Sequence, residues 1–352
     1  MTDQGSDSLG DSMDEFLDTY FGVRRKAKTK KYPRLEDVLS LLDFAVMGKR
    51  NLGLFLAYDD ARALRSQIQR ALVTVFDDAL RVGVNDDCNR FFVKLQQLRQ
   101  VTSKPAVIST NYDLVADNML MLHLGSCNYG FAVRRVLDDS DLQRDDVRRG
   151  GVRGEADRTW HFGSATGRAN DGYYHIKLHG SLNWLYCPRC DEVDITAGEK
   201  GAAWALTPGL RCGNQNCTAP YEPLIVDPTM YKLYDNRLLR ESRDLAERIL
   251  RGAKLIVFIG YSLPEADYDL RCLLVRAVAN NLLADRSPLL VIDDALEDKE
   301  SPRDRNSIRA TEQRYKSLFG KKVKFLPIGL HGLLERFDEL VSSRVAEPGR
   351  EW

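Results

Sequence analysis

The apolar positions of this chain change their period once. Up to about residue 100 they recur every three or four residues. The stretch RLEDVLSLLDFAVMG (34–48) is periodic in this way. DARALRSQIQRALVTVFDDALRVG (60–83) places Leu64, Ile68, Leu72, Val75, Phe76 and Leu80 on one face. CNRFFVKLQQLRQ (88–100) turns Phe91, Phe92, Leu95 and Leu98 inward. Such spacing predicts amphipathic helices. MDEFLDTYF (13–21) reads as a shorter one, after a polar tail over 1–12 that is expected to be disordered. Beyond residue 105 short apolar runs alternate with helical stretches. The runs are AVIST (106–110), HIKL (175–178), LIVFI (255–259), LLVI (289–292) and VKFL (323–326). Between and after them lie DLVADNMLMLH (113–123) and helices over 236–252, 265–281, 305–319 and 331–342. Short buried strands alternating with helices of ten or more residues predict a parallel sheet covered on both faces. The expected fold is α/β, a doubly wound Rossmann-like parallel sheet over 106–183 and 223–345. A helical region over 13–105 precedes it, and an insertion over 184–222 interrupts it.

Two stretches lack any period. DDSDLQRDDVRRGGVRGEADR (138–158) reads as a surface loop, and the basic run RRKAKTKK (24–31) as a solvated loop. Composition adds mainly exclusions. Lysine plus arginine equals aspartate plus glutamate at 51 each, so there is no general pull toward nucleic acid or an anionic membrane. Basic and aromatic residues are not interleaved, which argues further against a nucleic-acid partner. Apolar runs such as LIVFIG (255–260) are too short to span a bilayer, and the acidic, polar start is no secretory signal. The expected location is the cytoplasm.

Of the 7 cysteines, Cys88, Cys127 and Cys272 lie inside apolar segments and read as buried thiols. The other four form Cys187-x-x-Cys190 and Cys212-x4-Cys217, close to the spacing of a structural zinc ribbon. Pro188, Gly213 and Asn214 suit the turns around them. A set of four thiolates leaves no open coordination position, so a zinc ion there would staple the insertion rather than catalyse. The wider second knuckle leaves four reduced structural thiols as the alternative.

Candidate chemistry gathers where strands end. STNYD (109–113) joins a strand to a helix at the carboxyl edge of the sheet, where open α/β sheets bind ligands. Asn111 and Asp113 would point into that crevice. An ordinary helix cap by Thr110, Asn111 or Asp113 accounts for the stretch equally well. His179 follows the strand HIKL, beside Gly180, and is either a structural or a reacting histidine. FIGYSLPEADYDLR (258–271) is a third junction, with Gly260, Ser262 and Pro264 in a turn that could meet phosphate or ribose. VIDD (291–294) places Asp293 and Asp294 where a carboxylate could accept ribose hydroxyls.

In that order, STNYD, KLHGSLNW, the two knuckles and FIGYSLPEADYDL resemble the sirtuin-like family, in its broad bacterial form, over roughly residues 100 to 330. The resemblance implies an NAD-binding sheet flanked by a zinc-bearing small domain, with NAD as substrate and cleavage at the nicotinamide–ribose bond. Carried over, His179 is the general base on a ribose hydroxyl, and Asn111 and Asp113 hold the nicotinamide ribose or the attacking water. Thr110, Gly260 and Ser262 bind the cofactor's ribose or phosphates, and Asp293 lies by the adenosine. The family's opening strand and GAGxS-type loop, whose amides hold the pyrophosphate, have no counterpart here. MDEFLDTYF resembles the helix after that loop, so the resemblance implies a start about thirty residues downstream. YEPLIVDPTMYKLYDNRLLRE (221–241) follows the knuckles where deacylases carry a peptide-binding stretch. The reading favoured is NAD hydrolysis to nicotinamide and ADP-ribose in antiphage defence, with a homo-oligomer or a defence-system partner. The alternatives are an NAD-dependent protein deacylase and a catalytically silent NAD-sensing scaffold.

Overall fold

The computed structural model describes residues 5–23, 32–53, 56–79, 86–98, 105–125, 127–137, 173–196, 210–214, 216–226, 229, 236–265, 267–279, 289–295 and 302–346. The run 24–31 and the loop 138–158 lie outside them. The chain divides into two units, Met1–Arg81 with Ile225–Leu233, and Val82–Leu224 with Tyr234–Trp352.

The first unit holds α1 (Gly5–Phe21), α2 (Leu35–Gly48) and α3 (Tyr58–Ala79). Phe16, Leu17, Leu39, Leu42, Ala61, Leu64 and Ile68 close one apolar cluster among them. Beside it the nearly buried Asp43 pairs with Arg65. Two expectations change. The stretch expected as a disordered tail is helical from Gly5, since extending a nucleated helix costs little. On α3 the buried face stops early: Leu64 and Ile68 are buried, but Val75 is 59% exposed.

In the second unit α4 (Asp86–Leu98) buries Phe92, Leu95 and Leu98, and packs against α5 (Val115–Leu124) and α9 (Gly329–Glu335). It therefore belongs with the sheets rather than with the helical region expected over 13–105. Three sheets follow. Strand β1 (Val107–Ser109) pairs in parallel with β3 (His175–Lys177). The parallel set β7 (Ile256–Ile259), β8 (Leu289–Ile292) and β9 (Val323–Leu326) stands in that order. A mixed sheet runs β2 (Val133–Leu137), β5 (Glu192–Thr196), β4 (Gly180–Cys187) and β6 (Glu222–Ile225). The molecule is thus mixed α/β with parallel sheets and covering helices. The described residues do not form the one continuous doubly wound sheet expected, because β1 and β7 are not hydrogen-bonded to each other. Nor is the cysteine region a clean insertion from 184. Its sheet borrows β2 from upstream, and β4 begins at Gly180, one step past the turn at Leu178 and His179.

One core joins both parallel sheets. Ile176 and Leu178 share a cluster with α6 (Arg237–Arg251), α7 (Tyr268–Ala279), β8 and α8 (Pro302–Phe319) through Leu250, Leu274, Val291 and Tyr315. The helix α6 starts cleanly because Asn236 Oδ1 accepts from the N–H groups of Leu238 and Leu239. Gly130, at φ +85°, lies tight against that core, where an added Cβ would come within 2.4 Å of Leu245 and 3.1 Å of Ile176. Gly130→Ala should lower the unfolding free energy by about 1–3 kcal/mol from overpacking alone. Urea unfolding measures it, and a loss under about 0.5 kcal/mol would show that α6 shifts freely.

Candidate functional site

Polar side chains alternate with apolar ones along HIKLHGSLNW, and the structure buries both sets. His175, Lys177, Ser181 and Asn183 are fully buried and His179 is 4% exposed. Asp117 on α5, itself 1% exposed, anchors His175 and Lys177 directly and Asn183 through Tyr129. Asp117 Oδ2 accepts from Lys177 Nζ at 3.0 Å and lies 3.0 Å from His175 Nε2, and Oδ1 accepts from Tyr129 Oη. Asn183 Nδ2 donates to Tyr129 Oη at 3.4 Å, and Ser181 Oγ to Asn183 Oδ1 at 2.7 Å. Burial by itself raises the Asp117 carboxyl. The charge of Lys177, then that of His175, with the hydrogen bonds, more than reverses this and holds it well below the usual carboxylate range.

The network grips the STNYD loop from below. Lys177 Nζ donates to the carbonyl of Tyr112 at 3.3 Å and to that of Asp113. The Tyr112 carbonyl also accepts from Leu182 N–H at 3.0 Å. Asp113 Oδ1 accepts from Val115 N–H at 3.0 Å, a side-chain turn that holds the first amide of α5. Asn111 is exposed, and its N–H donates to Ser109 Oγ at 3.0 Å. His179 joins the same loop: its Nδ1 lies 3.0 Å from the Thr110 carbonyl, with the Tyr112 ring beside it. A carbonyl only accepts, so Nδ1 carries a proton, and in the neutral ring Nε2 is the acceptor nitrogen. Thr110, Asp113 and His179 are thereby held as one constellation, with Asn111 at its rim.

The other expected residues sit at neighbouring strand ends. Gly260 follows β7 at φ +64° with open space where a Cβ would stand, and its N–H donates to Ile292 O at 3.0 Å. Ser262 is exposed, and its carbonyl accepts from Arg314 Nε at 2.9 Å. Asp293 follows β8. Its Oδ1 accepts from Asp294 N–H at 2.9 Å, and its carbonyl from Gly329 N–H at 2.8 Å.

Two turns form the cysteine cluster, one between β4 and β5, the other around Cys212–Cys217, whose flanks bridge at Arg211 and Pro220. The four Sγ atoms lie within 4.8 Å of one another. Cys187 and Cys217 are 3.7 Å apart, and Cys190 and Cys212 3.8 Å. Tetrahedral sulfurs at about 2.3 Å from a zinc ion stand about 3.8 Å apart, whereas a disulfide needs about 2.05 Å. The donor set therefore fits a tetrahedral thiophilic cation. Donors already face the sulfurs: Cys190 N–H to Cys187 Sγ at 3.4 Å, Arg134 Nη1 to Cys212 Sγ at 3.2 Å, and Asn214 Nδ2 to Cys190 Sγ at 3.7 Å. The N–H of Ala219 lowers the Cys217 thiol to about 7, while burial pushes Cys187 up and Cys190 up to about 12.

Asp117, Tyr129 and Lys177 escaped the sequence reading. The signal for Lys177 was the strict polar alternation from His175 to Asn183, which a strand exposed to water on one face would equally produce. Lys177→Met should cost about 3–5 kcal/mol by stranding the Asp117 charge, and adding Asp117→Leu should recover part of that loss. A carboxyl held below its ordinary 3.8 stabilises the fold above that pH, and the contribution fades as pH falls below it. Asp117→Asn should therefore lower stability near pH 7 and flatten the acid limb of a stability–pH curve measured by urea unfolding.

No helix among the described residues is long and apolar enough to cross a membrane. No family model matches the chain, and no curated protein matches it. Among solved structures it is similar to one described as "The Structural basis for Sirtuin Substrate affinity", at 15% identity and a TM-score of 0.38, over 95% of this chain and 97% of that one. That score is too low for the likeness to carry a family or a function to this chain.

Proposed function

We propose that the chain is a sirtuin-like NAD hydrolase that cleaves the nicotinamide–ribose bond. The observation that carries this reading is the His179 Nδ1 contact with the Thr110 carbonyl, which ties the histidine to the STNYD loop that bears Asn111 and Asp113. Ordered motifs from STNYD to FIGYSLPEADYDL support it from the sequence side. On this reading the two parallel sheets are halves of one doubly wound sheet. NAD lies across its carboxyl edge, with Gly260 and Ser262 by the phosphates or ribose and Asp293 by the adenosine ribose.

The chemistry follows from what each group can do. The C–N bond to nicotinamide breaks with its electron pair going to the leaving ring, and positive charge develops on the ribose. Holding the ribose in one orientation is the first requirement, and on this reading Asn111 and the second oxygen of Asp113 meet it. Among the described residues that oxygen has no protein partner. His179 Nε2 takes a proton from a ribose hydroxyl or from water, and water supplies the oxygen of the product ADP-ribose. Because Lys177 fixes the carbonyls of Tyr112 and Asp113, the loop need not be ordered at the moment of reaction.

The four cysteines would hold zinc as a structural ion, tying β4 and β5 to the turn at 212–217. A reducing cytoplasm keeps such thiols available. On the same reading the setting is antiphage defence, where loss of NAD denies a replicating phage its host.

Incubation with NAD should release nicotinamide and ADP-ribose without any acylated peptide, and His179→Ala should reduce the rate at least about a hundredfold. Release that needs an acetylated peptide would move the reading to a deacylase. No release at all would leave a silent NAD-sensing module. Elemental analysis should find one zinc per chain, and Cys187→Ser with Cys217→Ser should lose it.

A further inference from the structure

An arginine on β2 stands beside the cysteine cluster with each nitrogen of its guanidinium engaged. Arg134 Nε donates to Asp194 Oδ1 at 2.8 Å. Its Nη2 donates to Asp194 Oδ2, and to Tyr221 Oη at 3.2 Å. Its Nη1 donates to Cys212 Sγ at 3.2 Å and to Glu192 Oε2 at 3.4 Å. Tyr221 Oη in turn donates to Asp194 Oδ2, and accepts at 2.9 Å from the N–H of Gly213, the residue after Cys212. The carboxylate of Asp194 therefore tethers the second cysteine turn by two routes. Arg134 carries one to the thiol, and Tyr221 carries the other to the backbone.

This arginine is fixed by the fold and not by the sulfur it faces. Asp194 is fully buried, and the Arg134 side chain is 19% exposed. A buried carboxylate needs matched donors, and the two-pronged pair sets the plane of the guanidinium. Arg134 also lies where the pairing of β2 with β5 shifts register, between Val133 and Val136. An irregularity of that kind re-aims a side chain, and here it falls on the one that meets Cys212. The entropy of ordering a long side chain is thus met during folding, before any cation arrives. The donors at Cys187 and Cys190 are a backbone N–H and the Asn214 carboxamide, both neutral. Cys212 faces a charge.

We propose that Arg134 is a positioning residue for the metal: through Cys212 it sets how tightly the four-cysteine site holds a divalent thiophilic cation. Four thiolates about such a cation keep a net negative charge, which in a poorly solvated site opposes the binding of every thiolate. A guanidinium at hydrogen-bond distance offsets that charge and holds Sγ in one place, as outer partners of metal ligands do. Lysine is no substitute. Its ammonium is a point charge that can serve Asp194 or Cys212, but it lacks the planar fork that serves both. The inference rests on the reading of the four cysteines as a zinc site and is independent of the NAD chemistry.

The test measures the zinc affinity of the full chain by competition with a chelating chromophore, and the absorption spectrum of the cobalt(II)-loaded chain. Arg134→Met should weaken zinc binding by about tenfold to a hundredfold. Arg134→Lys keeps a cation beside Asp194, so it carries the test if the methionine variant does not fold, and it should still lose about tenfold. Glu192→Gln, at an exposed contact with the same guanidinium, should change the affinity by less than about threefold. In the cobalt form Arg134→Lys should move the thiolate-to-metal charge-transfer band to lower energy, because Cys212 Sγ loses a hydrogen bond. Unchanged zinc affinity in the arginine variants, with zinc bound by the parent chain, would overturn this proposal and leave the zinc site standing. Weaker binding with an unmoved cobalt band would also overturn it, since a merely loosened sheet has that effect. A parent chain that takes up neither ion would overturn the zinc reading and this inference with it.

Discussion

A single buried carboxylate organises the second unit around the candidate site. Asp117 gathers a lysine, an imidazole and a phenol out of water, and the lysine and the phenol bond further groups. Lys177 is the clearest case. A fully buried ammonium is costly unless its donors are used, and here they are used on Asp117 and on two carbonyls of the loop above. The conformation of residues 110–113 is therefore set from the core outward, and His179 is oriented by a backbone atom of that same loop.

The geometry also explains why the His179 constellation and a metal-type cluster sit so close in sequence. Strand β4 starts one residue after His179 and ends on Cys187. Arg134 of β2 reaches Asp194 on β5 at 2.8 Å and Cys212 at 3.2 Å, so the second cysteine turn is also fastened to that sheet. One strand thus transmits order between the loop at 110–113 and the cysteine turns.

The parallel strands were legible in the sequence because their apolar runs are short and continuous, as in LLVI, and lie between strongly periodic helices. The four cysteines were legible because knuckle spacing constrains chemistry directly, and their sulfurs do converge. His179 was legible as a candidate, although its tautomer depended on a contact with Thr110, far away in the chain. What could not be read was which way polar side chains face. The alternation from His175 to Asn183 fits a water-facing strand, and only packing against Asp117 and Tyr129 turns it inward. The continuity of the sheet was equally hidden, since pairing between distant strands leaves no local pattern.

The alternating polar face has a consequence for how this protein can change over generations. Each member is satisfied by another: Ser181 by Asn183, Asn183 by Tyr129, Tyr129 by Asp117, and Asp117 by Lys177 and His175. A single substitution leaves a dry, unmatched group behind, so drift through this region is blocked one step at a time and opened two steps at a time. Positions 117 and 177 should accordingly vary together in descendants of a common ancestor, exchanging a charged pair for a neutral one in linked events.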